Sequence, residues 1–143
     1  MKSIKIALPA TLLLLVSGAA FAAPTQITIT AENNTTTTVS PSSASYAGTV
    51  FPAPAPISAS LSQTYINTGL GNVTSFHIDY SNTAGKKCHF DAASFNQSTP
   101  TSPCLYPVAA KSTGGTYATC TATITSASSN PANCSLAVTF KIQ

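Results

Sequence analysis

Two three-residue motifs hold most of the side-chain chemistry of this chain. His77-Ile78-Asp79 and His89-Phe90-Asp91 contain both histidines and two of the three acidic residues in the sequence. Imidazole nitrogens with carboxylate oxygens suit Zn²⁺ or Cu²⁺, so His77, Asp79, His89 and Asp91 form a candidate metal set. The two aspartates could also serve acid–base chemistry at a glycosidic bond. No sugar cleft is legible around them, because Trp is absent and the aromatics alternate toward a core. There is no Gly-x-Ser-x-Gly and no phosphate-binding Gly loop, so no catalytic residue is assigned and a non-enzymatic protein is expected. The plain alternative is that the four polar residues are the solvated face of a hairpin, where His/Asp cross-strand pairs are ordinary.

Whether they meet depends on the segment between them. Ser81–Lys87 reads SNTAGKK, and a Thr83-Ala84-Gly85 loop places Gly85 where a three-residue hairpin needs a left-handed residue. This register sets Tyr80 opposite Cys88, Ile78 opposite Phe90, Asp79 opposite His89 and His77 opposite Asp91. The apolar set then shares one face and the four polar residues the other, which a one-residue slip would destroy. Facing Cβ atoms would be roughly 5 Å apart.

The remaining elements also read as strands. Thr25–Ala31 alternates isoleucines with threonines, and Val73–Tyr80, Lys86–Ala92, Thr116–Thr125 and Ser135–Ile142 alternate likewise. A short strand is expected at Thr36–Val39 and another at Ile57–Ser62. Phe51–Pro56 (FPAPAP) lacks donors and reads as an extended connector. About seven or eight short strands separated by Gly/Pro/Asn/Ser loops predict an all-β fold. The expected architecture is an antiparallel, immunoglobulin-like β-sandwich, with a small barrel as the alternative.

Residues 1–22 read as a signal peptide: Lys2 and Lys5, an apolar run from Ile6 to Val16, then Ala20-Phe21-Ala22 before a cut at Ala23. No second run is long enough to span a membrane, so a secreted or periplasmic product without a membrane span is expected. The expected organisation beyond the leader is an N-terminal strand and Thr/Ser/Pro-rich connector over 23–56, looser than the core domain of 57–143. Past the leader, Lys86, Lys87, Lys111 and Lys141 face only Glu32, Asp79 and Asp91, and Arg is absent. That is no footprint for nucleic acid.

Cys88, Cys104, Cys120 and Cys134 lack the paired knuckle spacing of a zinc site and imply two disulfides with three connectivities. Sequential pairing, Cys88 with Cys104 and Cys120 with Cys134, is the first expectation, since each bond closes a proline-containing loop. A regular final hairpin with Ile124 opposite Leu136 opposes it. Cys120 would then face Phe140, with Cys134 roughly 20 Å away along the strand. Sequential pairing needs 120–134 to curl as a closed loop.

The terminal SLAVTFKIQ is similar to the last strand of chaperone–usher pilins, and TQITITA is similar to a donated N-terminal strand. Pilins usually carry a disulfide in their N-terminal half and a Tyr next to the end. Here the first cysteine is Cys88 and the penultimate residue is Ile142, so no family is assigned. The resemblance implies assembly through edge strands. The leading expectation is a protein that binds a protein or cell-surface ligand, or assembles at the cell surface, without a cofactor. A periplasmic Zn or Cu protein built on the His/Asp face is the alternative.

Overall fold

The computed structural model describes residues 25–97, 104–128, 130 and 133–143. The expected signal peptide and its cleavage site lie outside these residues. Among the described residues ten strands form two sheets, two or three more strands than the alternation suggested. They are β1 (Gln26–Asn33), β2 (Ser40–Ala47), β3 (Thr49–Phe51), β4 (Ser62–Thr68), β5 (Val73–Ser81), β6 (Lys87–Asn96), β7 (Cys104–Leu105), β8 (Val108–Ser112), β9 (Cys120–Ala127) and β10 (Ser135–Ile142). One sheet runs β3-β4-β1-β10-β9 and the other β2-β5-β6-β7, with β8 also on β6. Pairing is antiparallel except for β1 with β10. Among the described residues there is no helix.

Alternation fixes which side of each strand is buried. Ile27 and Ile29 of β1, Phe76, Ile78 and Tyr80 of β5, Phe90 of β6, and Leu136, Val138, Phe140 and Ile142 of β10 fill the space between the sheets. Phe140 stacks on Phe90 with ring centroids 4.7 Å apart. Two phenols also enter the core. The Tyr65 and Tyr80 hydroxyls bond to each other, and Tyr65 donates to Gln63 Oε1 at 2.7 Å, so both buried oxygens are satisfied. Burial first, and then the Tyr65 partner, push the Tyr80 phenol far above its ordinary range.

β1 lies inside its sheet, between β4 and β10, and supplies core residues. The expected strand at Thr36–Val39 is reduced to a bridge from Val39 to Ile57, and β2 follows it. The expected strand at Ile57–Ser62 is displaced to Ser62–Thr68. Its inward face reads Gln63, Tyr65, Asn67, and a polar-flanked tyrosine hides an apolar alternation. β2 and β3 belong to different sheets and are separated only by Gly48, whose φ of +124° turns the chain across the flank of the sandwich. A Cβ at Gly48 would lie 2.5 Å from the Thr68 carbonyl oxygen.

The disulfides are Cys88–Cys120 and Cys104–Cys134, so the sequential pairing is overturned. The reason is strand direction. Cys88 begins the long run of β6 whose other end, Asn96, pairs with Cys104, and eight residues of strand separate them by roughly 27 Å. Cys120 pairs with Ile142 at the end of β10, whereas Cys134 precedes its start. The final hairpin forms but is displaced from the expected register: Ile124 faces Val138 rather than Leu136, and the register shifts between Ala137 and Val138.

Candidate functional site

The β5–β6 hairpin forms in the expected register, with Asp79 opposite His89 and His77 opposite Asp91. Its loop explains why. Asn82 Oδ1 accepts from the Ala84 and Lys86 amides at 3.1 and 3.0 Å, and the Asn82 amide donates to the Lys86 carbonyl at 3.0 Å. Gly85 takes φ +78°, the left-handed conformation that closes such a loop.

All four side chains meet on the outward face of the sheet. His77 Nδ1 lies 2.5 Å from Asp91 Oδ1, and His89 Nε2 lies 3.0 Å from that same oxygen. His89 Nδ1 lies 2.6 Å from Asp79 Oδ1. Asp79 Oδ2 accepts from Lys87 Nζ and from Ser43 Oγ, each at 2.9 Å. Burial works to raise the Asp79 pKa, but the Lys87, His89 and Ser43 donors outweigh it and hold the carboxyl below its ordinary value. The result is a chain of contacts, Ser43 and Lys87 to Asp79 to His89 to Asp91 to His77, which ties β2, β5 and β6 together. Both His89 nitrogens can donate at once only when the ring is an imidazolium. Among the described residues, no three His, Cys, Asp or Glu side chains are disposed to hold an ion as they stand.

The same face continues into something the two motifs did not disclose. Beyond the His77–Asp91 pair the outward positions become small or apolar. A groove of about 490 Å³ opens there, lined by Val73, Ser75, Ala93, Phe95, Pro107 and Ala109 among others, with His77 and Asp91 at one end. Ser75, Ala93 and Ala109 are too small to fill the sheet surface, and Val73, Phe95 and Pro107 stand around them. The signal was present in the register. Continuing the odd-numbered positions of β5 and β6 gives Val73 and Phe95 as outward residues, where alternation alone expects polar ones. Ser45 is the register partner of His77 on β2. Among the described residues, no hydrogen bond joins its hydroxyl to the ring.

No protein-family model matches this sequence, and no curated protein matches it.

Proposed function

We propose that this is an exported, immunoglobulin-like binding module that acts by non-covalent recognition in the periplasm or at the cell surface. Two disulfides suit an oxidising compartment, and the basic, apolar and small-residue order of residues 1–22 suits an export signal. The groove beside His77 and Asp91 carries the reading. A solvated sheet face has no use for Val73, Phe95 and Pro107 around a floor of small residues, whereas a ligand pocket combines an apolar lining with a few polar groups. Edge-to-edge assembly is the weaker form of the proposal. β2 carries Pro41 and a register shift, β3 has three residues and β7 two, and the β9–β10 ladder is also shifted. Such edges resist strand addition.

The test uses the apolar dye anilinonaphthalene sulfonate. It should bind the folded protein and shift the amide resonances of Ser75, Ala93 and Ala109. Ala109→Arg, at an exposed position of the lining, should abolish both effects without changing the melting temperature. Dye binding that survives this substitution would remove the groove from consideration.

One contact favours a second reading, a periplasmic Zn²⁺ or Cu²⁺ protein. Asp79 holds His89 Nδ1 and turns Nε2 toward Asp91, the way a carboxylate orients an imidazole ligand. The ion would have to displace the His77–Asp91 and His89–Asp91 contacts. On this reading Zn²⁺ or Cu²⁺ binds stoichiometrically, binding weakens as the imidazoles take up protons, and His77→Ala and His89→Ala each abolish it. No heat of binding in a calorimetric titration with either ion would dispose of it.

A further inference from the structure

The outward positions of β5, β6 and β8 form cross-strand rows. Val73 pairs with Phe95, and Ser75 with Ala93. His77 pairs with Asp91 and that with Ala109, and Asp79 pairs with His89 and that with Lys111. The groove of about 490 Å³ occupies the first three rows. From Val73 to His77 it runs roughly 14 Å along the strands.

The polar groups of the lining are few. Its floor is β-ladder, whose amides are directed at neighbouring strands. The Ala93 amide donates to the Pro107 carbonyl at 3.0 Å, and Pro107 itself has no N–H. What remains is the Ser75 hydroxyl, His77 and Asp91. Asp91 Oδ1 meets His77 Nδ1 at 2.5 Å and His89 Nε2 at 3.0 Å, while among the described residues Asp91 Oδ2 has no partner. A carboxylate only accepts, so His77 Nδ1 carries the hydrogen between them. Nε2 of the neutral ring is then a lone pair, and it too has no partner. Both free polar atoms at this end of the groove are therefore acceptors, and one belongs to a carboxylate. The cations nearby lie elsewhere. Lys87 and His89 contact Asp79 at 2.9 and 2.6 Å, and Lys111 stands in the next row, beyond the groove.

We propose that the groove takes a small apolar amine, with its hydrocarbon along Val73, Phe95 and Pro107 and its ammonium at Asp91 and His77. The inference rests on the binding-module reading and adds the chemistry of the ligand to it. An ammonium has three donors and no acceptor, which matches a lining whose unpaired atoms are Asp91 Oδ2, His77 Nε2 and a Ser75 hydroxyl able to accept. Its bond to the carboxylate is charge-assisted, and the apolar contacts add the gain of leaving water. An anionic head meets the reverse: a bare carboxylate oxygen and a lone pair, with the Ser75 hydroxyl as the one side-chain donor.

The experiment titrates residues 23–143 with hexylamine, hexanol and hexanoate while the amide resonances of Ser75, Ala93 and Ala109 are followed. A chelator is present, and the pH is held above the range in which imidazoles take up protons, where the amine is still charged. The three probes share a hydrocarbon and differ in the head. Hexylamine should bind about tenfold more tightly than hexanol, and hexanoate more weakly than either. Asp91→Asn should lower the hexylamine affinity about tenfold and the hexanol affinity much less, with the melting temperature reporting that the variant folds. Hexylamine that binds no better than hexanol overturns the proposal, as does hexanoate that matches hexylamine. Both comparisons are made on the wild-type protein and stand even where the variant does not fold. A folded Asp91→Asn protein that keeps the preference for the amine overturns it as well. Resonance shifts with hexylamine that persist in Ala109→Arg would put the amine outside the groove and have the same force. The binding-module reading fails on a different result, in which hexanol and hexylamine both leave these resonances unmoved.

Discussion

Asn33 is completely buried, and its amide uses every hydrogen-bonding position it has. Nδ2 donates to the Thr37 and Ile57 carbonyls at 2.8 Å each, and Oδ1 accepts from the Thr35 amide and hydroxyl at 3.0 and 2.7 Å. A tract that reads as loose Asn/Thr sequence is thereby pinned to the core. Asn33→Ala removes all four bonds at once and leaves the Thr35 amide without its acceptor, while the Ile57 carbonyl keeps the Val39 amide and the Thr35 hydroxyl keeps the Thr37 carbonyl; it should cost about 2–3 kcal/mol in urea unfolding. Asp79 is the second residue whose surroundings determine a measurable quantity. Its pKa is lowered in the folded state, so its contribution to stability is complete above the ordinary carboxylate range. That contribution is lost as the pH falls through the folded value. Asp79→Asn should therefore destabilise the protein at neutral pH, and the difference from wild type should disappear at an acid pH below the lowered folded value. Equal losses at both pH values would show that the carboxylate charge is not what the contacts use. The pairing of His77 with Asp91 and of His89 with Asp79 was legible in the sequence, because a hairpin register moves every residue together. The Ser43 contact to Asp79 was not. It depends on β2 lying beside β5, a long-range pairing that no local pattern announces.

At the scale of elements, glycine marks the places where strands must turn without a side chain. Gly48 lets one edge of the chain pass from one sheet to the other, at a φ that L-residues rarely adopt and against the Thr68 carbonyl. Gly48→Ala should cost more than the roughly 1 kcal/mol of an ordinary backbone substitution, since conformational strain and contact add. Thermal unfolding of the variant measures it, and Gly71→Ala, with open space around it, is the control. Strands with strict apolar alternation, β1, β5 and β10, could be read directly. β4 could not, because Asn67 occupies an inward position where its amide bonds the Ser75 carbonyl at 2.7 Å instead of packing as a hydrocarbon. The final hairpin could be read as a pair but not in register. Its ladder contains an irregularity between Ala137 and Val138, which leaves no trace in residue alternation.

For the whole molecule, the two sheets are joined covalently near both ends. Cys88 of β6 bonds Cys120 of β9 close to the hairpin end, and Cys104 bonds Cys134 at the opposite end. Partners separated by 32 and 30 residues should each contribute about 4 kcal/mol in the loop-entropy account. Reduction should therefore lower the melting temperature steeply, and peptide mapping should recover 88 with 120 and 104 with 134. Composition was enough to indicate that two bonds exist. Their partners follow from the direction of β6 and β10, which only the assembled sheets define. The order along the chain, 88, 104, 120, 134, makes the two bonds interleave rather than nest. Any single backbone cut between Cys88 and Cys134, trypsin at Lys111 for example, leaves at least one bond bridging the cut. The nicked protein should run as one band on a gel until reductant is added, and only then as two. A chain cross-linked in this way can be cut once between Cys88 and Cys134 and still hold together as one piece.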